Sequence, residues 1–198
     1  IHTHYDGQVI WSDRVAPSSC HGVTTVVVGN CGVGFAPCRP QHREALIELM
    51  EGVEDIPNAV TGEGLTWDWE TFPEFMDAVE RRPHDIDVAV LVPHSPIRVY
   101  VMGERAIRRE AANAEERTKM RRLVREALDA GALGFGTSRL AAHRSSKGEL
   151  IPSFEAEEIE LVEIADEMRT AGKGVFQIVP NTGYVSYESQ LPILERIA

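Results

Sequence analysis

An α/β fold with a parallel sheet follows from three features of the 198-residue sequence. Two near-continuous β-branched runs, 24–30 (Thr-Thr-Val-Val-Val-Gly-Asn) and 86–92 (Ile-Asp-Val-Ala-Val-Leu-Val), have the pattern of strands buried on both faces. Segments with apolar residues at helical spacing separate and follow them. Strand then helix recurs about four times, with no linker, low-complexity tract or internal repeat. An open doubly wound sheet and a closed (β/α)8 barrel share this order. A whole barrel takes roughly 250 residues, so this chain supplies about half of one.

The strand at 24–30 ends in a glycine-rich turn, Gly29-Asn30-Cys31-Gly32-Val33-Gly34. Leu46, Ile47, Leu49 and Met50 predict a helix over 41–51, with Gly52 placed to stop it. Residues 54–68 have no period and read as a long loop. Phe72, Phe75, Met76 and Val79 predict a helix over 69–81, and Pro83 ends it. Pro93-His94 closes the strand at 86–92. Met120, Leu123, Val124, Ala127 and Leu128 give the clearest helix, 114–130, with Gly131 just past its end. The strand at 132–137 holds Gly134 and Gly136, which predict close approach by a neighbour or a ligand. A helix over 153–171 with Ser153 near its cap, a strand over 174–179 and a helix from 186 interrupted by Pro192 complete the order.

Composition narrows the function. Twenty Lys+Arg against thirty-one Asp+Glu give a net charge of −11, with no basic block, which argues against nucleic acid and anionic membrane partners. Hydrophobic residues at 43% and charged residues at 26% are the mix of a soluble globular chain, and no apolar run reaches the roughly 20 residues of a membrane span. Three cysteines, Cys20, Cys31 and Cys38, make an odd set in a chain this large, and the expected setting is reduced and cytoplasmic. The first residue is Ile1, not Met, and the chain reads as a segment of a longer one.

In either α/β design, chemistry gathers beyond the carboxyl ends of the strands. His2, His4 and Asp6 stand at the chain start; Asn30 and Cys31 follow the strand at 24–30. His94 and Ser95 follow the next, then Ser138 and Arg139, then Gln177 and Asn181. On an extended segment His2 and His4 point to one side, and two imidazoles there can ligate one metal. Cys31 in a glycine-rich turn is open to a metal, although most free cysteines are small buried hydrophobes. Arg139 can pair with a substrate carboxylate or serve a structural salt bridge. Cys20 and Cys38 read as structural, Trp67 and Trp69 as packing. His21, His42, His84 and His143 read as turn or solvent-facing residues, and 105–109 as a solvated basic surface. Gly32-Val33-Gly34 is too short for a phosphate loop.

Taken together these residues resemble the amidohydrolase superfamily, and within it the D-aminoacylase branch, the N-acyl-D-amino-acid deacylases. The resemblance is carried by Ile1-His-Thr-His-Tyr-Asp-Gly-Gln8, Pro17-Ser-Ser-Cys-His-Gly-Val-Thr-Thr25 and Val28-Gly-Asn-Cys-Gly-Val-Gly-Phe-Ala-Pro37. Pro93-His94, Arg98-Val-Tyr-Val-Met-Gly103 and Gly131-Ala-Leu-Gly-Phe-Gly-Thr-Ser138 extend it along the chain. It implies part of a (β/α)8 TIM-type barrel, from the end of the first strand to the fifth. The later strands and a small flanking β domain would lie outside residues 1–198. It implies one or two zinc ions, with His2, His4 and Cys31 as ligands, Cys31 taking the place of a modified lysine in relatives. The implied reaction is hydrolysis of a linear amide, an N-acyl-D-amino acid, by zinc-activated water. The implied general base is an aspartate after the eighth strand. His94 and Arg139 are expected to line the substrate site. A cyclic-amide hydrolase of the dihydroorotase or hydantoinase type is the alternative within the superfamily. A non-catalytic ligand-binding barrel is the alternative outside it, motivated by one departure: the fifth strand carries Gln177, a poor zinc ligand, and no histidine. The segment by itself is expected to be marginally stable, aggregation-prone and inactive, because half a barrel leaves strand edges open.

Overall fold

The computed structural model describes residues 1–181 and 185–198. Its sheet holds β1 (Thr25–Val28), β2 (Asp87–Pro93), β3 (Gly134–Ser138) and β4 (Val175–Val179), all parallel and in the order β1-β2-β3-β4. The chain start extends the sheet beyond β1: His2 forms a parallel bridge with Val27, whose carbonyl accepts the Thr3 N–H. A doubly wound sheet reverses its strand order at a switch point. Here each strand joins the same edge, as in a barrel.

The sheet also curls. A Cβ on Gly136 of β3 would stand 2.5 Å from the carbonyl oxygen of Gly29, two strands away. The Cys31 N–H reaches the side chain of Gln177 on β4, three strands from β1. The expectation that Gly134 and Gly136 admit a close neighbour is met, since a Cβ on Gly134 would lie 2.0 Å from the Val175 carbonyl oxygen.

Helices connect the strands: α1 (Gln8–Trp11), α2 (Arg43–Glu54), α3 (Asn58–Gly64), α4 (Phe72–Glu80), α5 (His94–Met102), α6 (Glu104–Ile107), α7 (Ala114–Asp129), α8 (Glu158–Ala171) and α9 (Leu191–Ile197). Helices α4 and α7 start with full capping boxes, Thr71 with Glu74 and Asn113 with Glu116, each satisfying two otherwise orphaned N–H groups. Helix α7 buries Met120, Val124, Ala127 and Leu128, the stripe its sequence predicts.

Four boundaries differ from the sequence reading. Helix α2 passes through Gly52 and ends at Asp55, which takes the left-handed conformation (φ 55°). Gly52 serves close approach instead, because a Cβ there would lie 2.1 Å from the Ser145 carbonyl carbon. The expected loop at 54–68 contains α3. Helix α5 begins directly at His94, where the sequence pattern shows only a strand end. Helix α8 starts at Glu158, not near Ser153, which is buried and hydrogen-bonds to Ser95 and the Ser138 carbonyl. Pro192 sits in the first turn of α9, where its missing N–H costs nothing.

Side-chain alternation gives the sheet two faces. On β3, Phe135 and Thr137 meet His94 of α5, so they face the helices. Gly134, Gly136 and Ser138 face the other way. On β4, Phe176 packs on Phe135 toward the helices, and Gln177 faces the concave side. The candidate site is on that concave side, at the carboxyl ends of the strands.

Candidate metal centre

The turn after β1 brings Cys31 to the site by an unusual backbone path. Gly29 (φ 77°), Cys31 (φ 57°) and Gly32 (φ 71°) are all left-handed. A Cβ on Gly29 would stand 2.0 Å from the Leu91 carbonyl oxygen, and one on Gly32 would stand 2.9 Å from Thr137 Cα. Only glycine fits either place. Cys31 bears the strain as a non-glycine residue, a cost of about 1–3 kcal/mol that tends to mark functional positions. Three contacts fix the turn: Asp6 Oδ1 accepts the Gly29 N–H at 2.7 Å, Asn30 Nδ2 donates to the carbonyls of Thr3 and Val27, and Gln177 Oε1 accepts the Cys31 N–H at 3.0 Å. Gln177 is thus committed to holding the cysteine turn.

His2, His4 and Cys31 converge, with one donor atom from each within 4.8 Å of the other two. His2 Nε2 lies 3.2 Å from His4 Nε2 and 3.6 Å from Cys31 Sγ. A tetrahedral zinc with nitrogens at about 2.0–2.1 Å and sulfur at about 2.3 Å sets donor-to-donor edges of roughly 3.3 Å (N···N) and 3.6 Å (N···S). Two edges of such a tetrahedron are already present. Protonation also suits a metal. Burial, then the neighbouring His2 and His143, pushes His4 down to about 4, and burial lowers His2, so both imidazoles are neutral with lone pairs to give at pH 7. Burial, then the charges of Glu54 and Asp6, pushes the Cys31 thiol up to about 12, so the thiol keeps its proton until a cation replaces it. The donor set fits a thiolate- and imidazole-preferring ion such as zinc.

Two residues at the site, Glu54 and His143, escaped the sequence reading, and Asp6, placed there by the sequence, takes on a definite role. Glu54, at the end of α2, places Oε1 3.1 Å from His4 Nε2. Asp6 is buried, with Oδ2 unpaired among the described residues, and burial raises its carboxyl to about 7. His143, read as a turn or solvent residue, is half-buried, and its Nδ1 lies 2.8 Å from Ser138 Oγ. Burial, then the charge of His2, lowers its pKa. No local motif announces Glu54 or His143; they arrive through the register of α2 and of the loop after β3.

The other expected site residues lie apart from the three donors. His94 is fully buried in the layer between sheet and helices. Its Nδ1 is 2.8 Å from Thr137 Oγ1 and its Nε2 2.7 Å from Glu160 Oε1, so both ring nitrogens are engaged. Arg98 binds both Glu160 oxygens at 2.5 Å. The structure therefore sets His94 in a buried polar array behind the strands, off the open face. Arg139 is half-buried at the end of β3. Its Nη1 is buried without a partner among the described residues, and it lines a cavity of about 440 Å³ with Asn181 and Gln190. Cys38 is buried, as a structural cysteine should be, whereas Cys20 is exposed. The segment 105–109 is an ion-paired patch, with Arg105 bound to Glu110 and Glu116 and Arg109 to Glu155, not a freely solvated surface.

Comparison with known proteins supplies the relationship. The chain is 29% identical over 195 residues to a D-aminoacylase of Alcaligenes xylosoxydans xylosoxydans, covering 98% of this chain and 37% of that enzyme. It is 34% identical over 136 residues to an N-acyl-D-aspartate deacylase of the same organism, covering 69% of this chain and 24% of that one. The chain thus spans little more than a third of the curated relatives at most. A solved D-aminoacylase superposes with a TM-score of 0.67 at 27% identity, over 98% of this chain and 35% of that chain. A second D-aminoacylase structure, equally similar, is described as having a binuclear metal centre with one-metal activation and second-metal attenuation. That fold likeness identifies the four strands as part of a TIM-type barrel. The profile of the amidohydrolase family matches residues 1–198, and this chain belongs to that family.

Proposed function

We propose that the protein carrying this chain is a metal-dependent hydrolase of linear amides, with N-acyl-D-amino acids as substrates and zinc as the metal. The observation that carries this reading is the convergence of two neutral imidazoles and a thiol at the carboxyl ends of parallel strands in an amidohydrolase. His2, His4 and Cys31 would hold the ion. A metal held there lowers the pKa of water to near neutrality and polarises a carbonyl. The chain's own residues hold the ligands in place: Gln177 and Asp6 fix the cysteine turn, and Thr3 pins the histidine segment to β1. Arg139, whose side chain lines a cavity at the end of β3, would take the substrate carboxylate.

The test is release of free amino acid from a panel of N-acetyl-D-amino acids, their L-isomers and a cyclic amide, using the full-length protein. The expected result is turnover of the D-series, abolished by a chelator and restored by zinc. Turnover that survives complete metal removal would overturn the reading, as would a metal-loaded protein that hydrolyses none of the linear amides.

A further inference from the structure

We infer that His143 donates a hydrogen bond from Nε2 to the acyl oxygen of a substrate amide held beside His2, His4 and Cys31, in a tautomer selected by the buried Ser138 hydroxyl. This inference rests on the amide hydrolysis proposed above. Three observations place the ring. Ser138 ends β3 on the concave side of the sheet, and its Oγ lies 2.8 Å from His143 Nδ1. The loop that carries His143 is pressed onto the end of α2, where a Cβ on Gly52 would collide with the backbone of Arg144, Ser145 and Ser146. Two residues further on, Glu54 at that same helix end reaches His4 Nε2 at 3.1 Å. His143 also lies within range of the charges of His2 and His4. The ring thus stands beside the three converging donors without being one of them.

Ser138 sets which ring nitrogen carries the hydrogen. It is fully buried, and its Oγ accepts the Leu140 N–H at 3.1 Å. A buried hydroxyl still has a proton to place. Among the described residues, the acceptor within reach is His143 Nδ1. Nδ1 therefore accepts, and the neutral ring carries its hydrogen on Nε2. Burial lowers the pKa of His143, which keeps that neutral form at pH 7. Nε2 itself bonds to none of the described residues, and the half-buried ring is not sealed from the concave side. The loop holds the ring still. The His143 N–H bonds to the Leu140 carbonyl at 3.0 Å, the Ser145 N–H bonds to the Glu149 carbonyl at 2.8 Å, and Arg144 bridges antiparallel to Leu150.

Charge decides what such a donor meets. A substrate carboxylate calls for a cation, and Arg139 stands at the end of the same strand. A fixed, neutral N–H suits an amide carbonyl oxygen, which gains negative charge as water adds to its carbon. A donor aimed there in advance stabilises that charge with no reorganisation. His143 keeps its proton throughout: it stabilises charge and transfers nothing. Ser138 does not touch substrate and is a positioning residue.

The experiment compares zinc-supplied full-length protein as wild type, His143→Ala, His143→Gln and Ser138→Ala. Hydrolysis of the N-acetyl-D-amino acid panel, zinc content and thermal melting are measured, with inhibition by the phosphonate analogue of the best panel member. For His143→Ala the expected kcat is about 100–1000-fold lower, with KM within about threefold and with zinc content and melting unchanged. Inhibition by the phosphonate, which mimics the tetrahedral state, should weaken by a similar factor. His143→Gln, which keeps an N–H near the place of Nε2, should recover part of kcat, and Ser138→Ala should lose less than His143→Ala. A kcat within about threefold of wild type, or a change confined to KM, overturns the inference. A loss of kcat matched by lost zinc or lower melting in both His143 variants overturns it too, since the role is then structural. Wild-type kcat in Ser138→Ala overturns the role given to Ser138. If wild type turns over the panel and His143→Ala does so equally, the hydrolase reading stands and His143 alone falls. A metal-loaded wild type that hydrolyses none of the panel overturns both.

Discussion

Replacing Glu160 by Gln keeps its shape and removes its charge, leaving Arg98 fully buried without a counter-ion. Arg98 donates to both Glu160 oxygens, and His94 donates its Nε2–H to one of them. Burial alone would raise the Glu160 carboxyl. The hydrogen bond from His94 and the charge of Arg98 more than reverse that and hold it at about 2, below its ordinary 4.5. At about 1.4 kcal/mol per pKa unit this is worth roughly 3 kcal/mol at neutral pH. Breaking one side of a buried pair costs about 3–5 kcal/mol, which agrees. The assay is urea unfolding of the full-length protein followed by tryptophan fluorescence. The expected loss for Glu160→Gln is about 3 kcal/mol. The double variant Arg98→Met with Glu160→Leu should lose less, because it leaves no charge stranded. A loss below about 1 kcal/mol for Glu160→Gln would refute the view that this array braces β3 and α5 behind the site.

Other outcomes follow from the same geometry. Because the folded pKa of Glu160 is depressed, its contribution is complete above about 4.5 and lost as pH falls toward about 2; acid unfolding should steepen in that window for wild type and flatten in Glu160→Gln, as far-ultraviolet dichroism would record. Gly29→Ala should destabilise far more than Gly148→Ala: both glycines have φ near 80°, but the new Cβ meets the Leu91 carbonyl oxygen at 2.0 Å in the first and open space in the second. About 1–2 kcal/mol is expected for the second, from backbone strain alone; equal losses in thermal melts would contradict the close-contact argument. Arg139→Met should raise KM for an N-acyl-D-amino acid roughly 10–100-fold with kcat little changed, the signature of a lost charged contact to bound substrate; unchanged steady-state kinetics would remove Arg139 from the substrate site.

The strands and principal helices are legible in the sequence because burial on two faces and helical stripes leave local patterns. The β-branched runs mark β1 and β2, and the stripe Met120, Val124, Ala127, Leu128 is buried as read. Strand order was not legible: it is a non-local property, and the sequential order in the structure is what separates a barrel from a doubly wound sheet. The pair His2 and His4 with Cys31 was legible through period-two geometry and a glycine-rich turn. Glu54 and His143 were not, since each reaches the site through a helix end or a loop whose path is set by packing on Gly52 and Ser138. His94 stands at a strand end, the expected place for chemistry, yet its side chain turns toward Glu160 on α8, a contact 66 residues away in sequence.

The most direct test of the account is the metal content of the full-length protein, measured by elemental analysis beside its Cys31→Ala variant. At least one tightly held zinc per chain is expected in the wild type, lost or reduced to a trace when Cys31 is removed. Absence of metal from wild type supplied with zinc would contradict it, as would a full complement retained by Cys31→Ala.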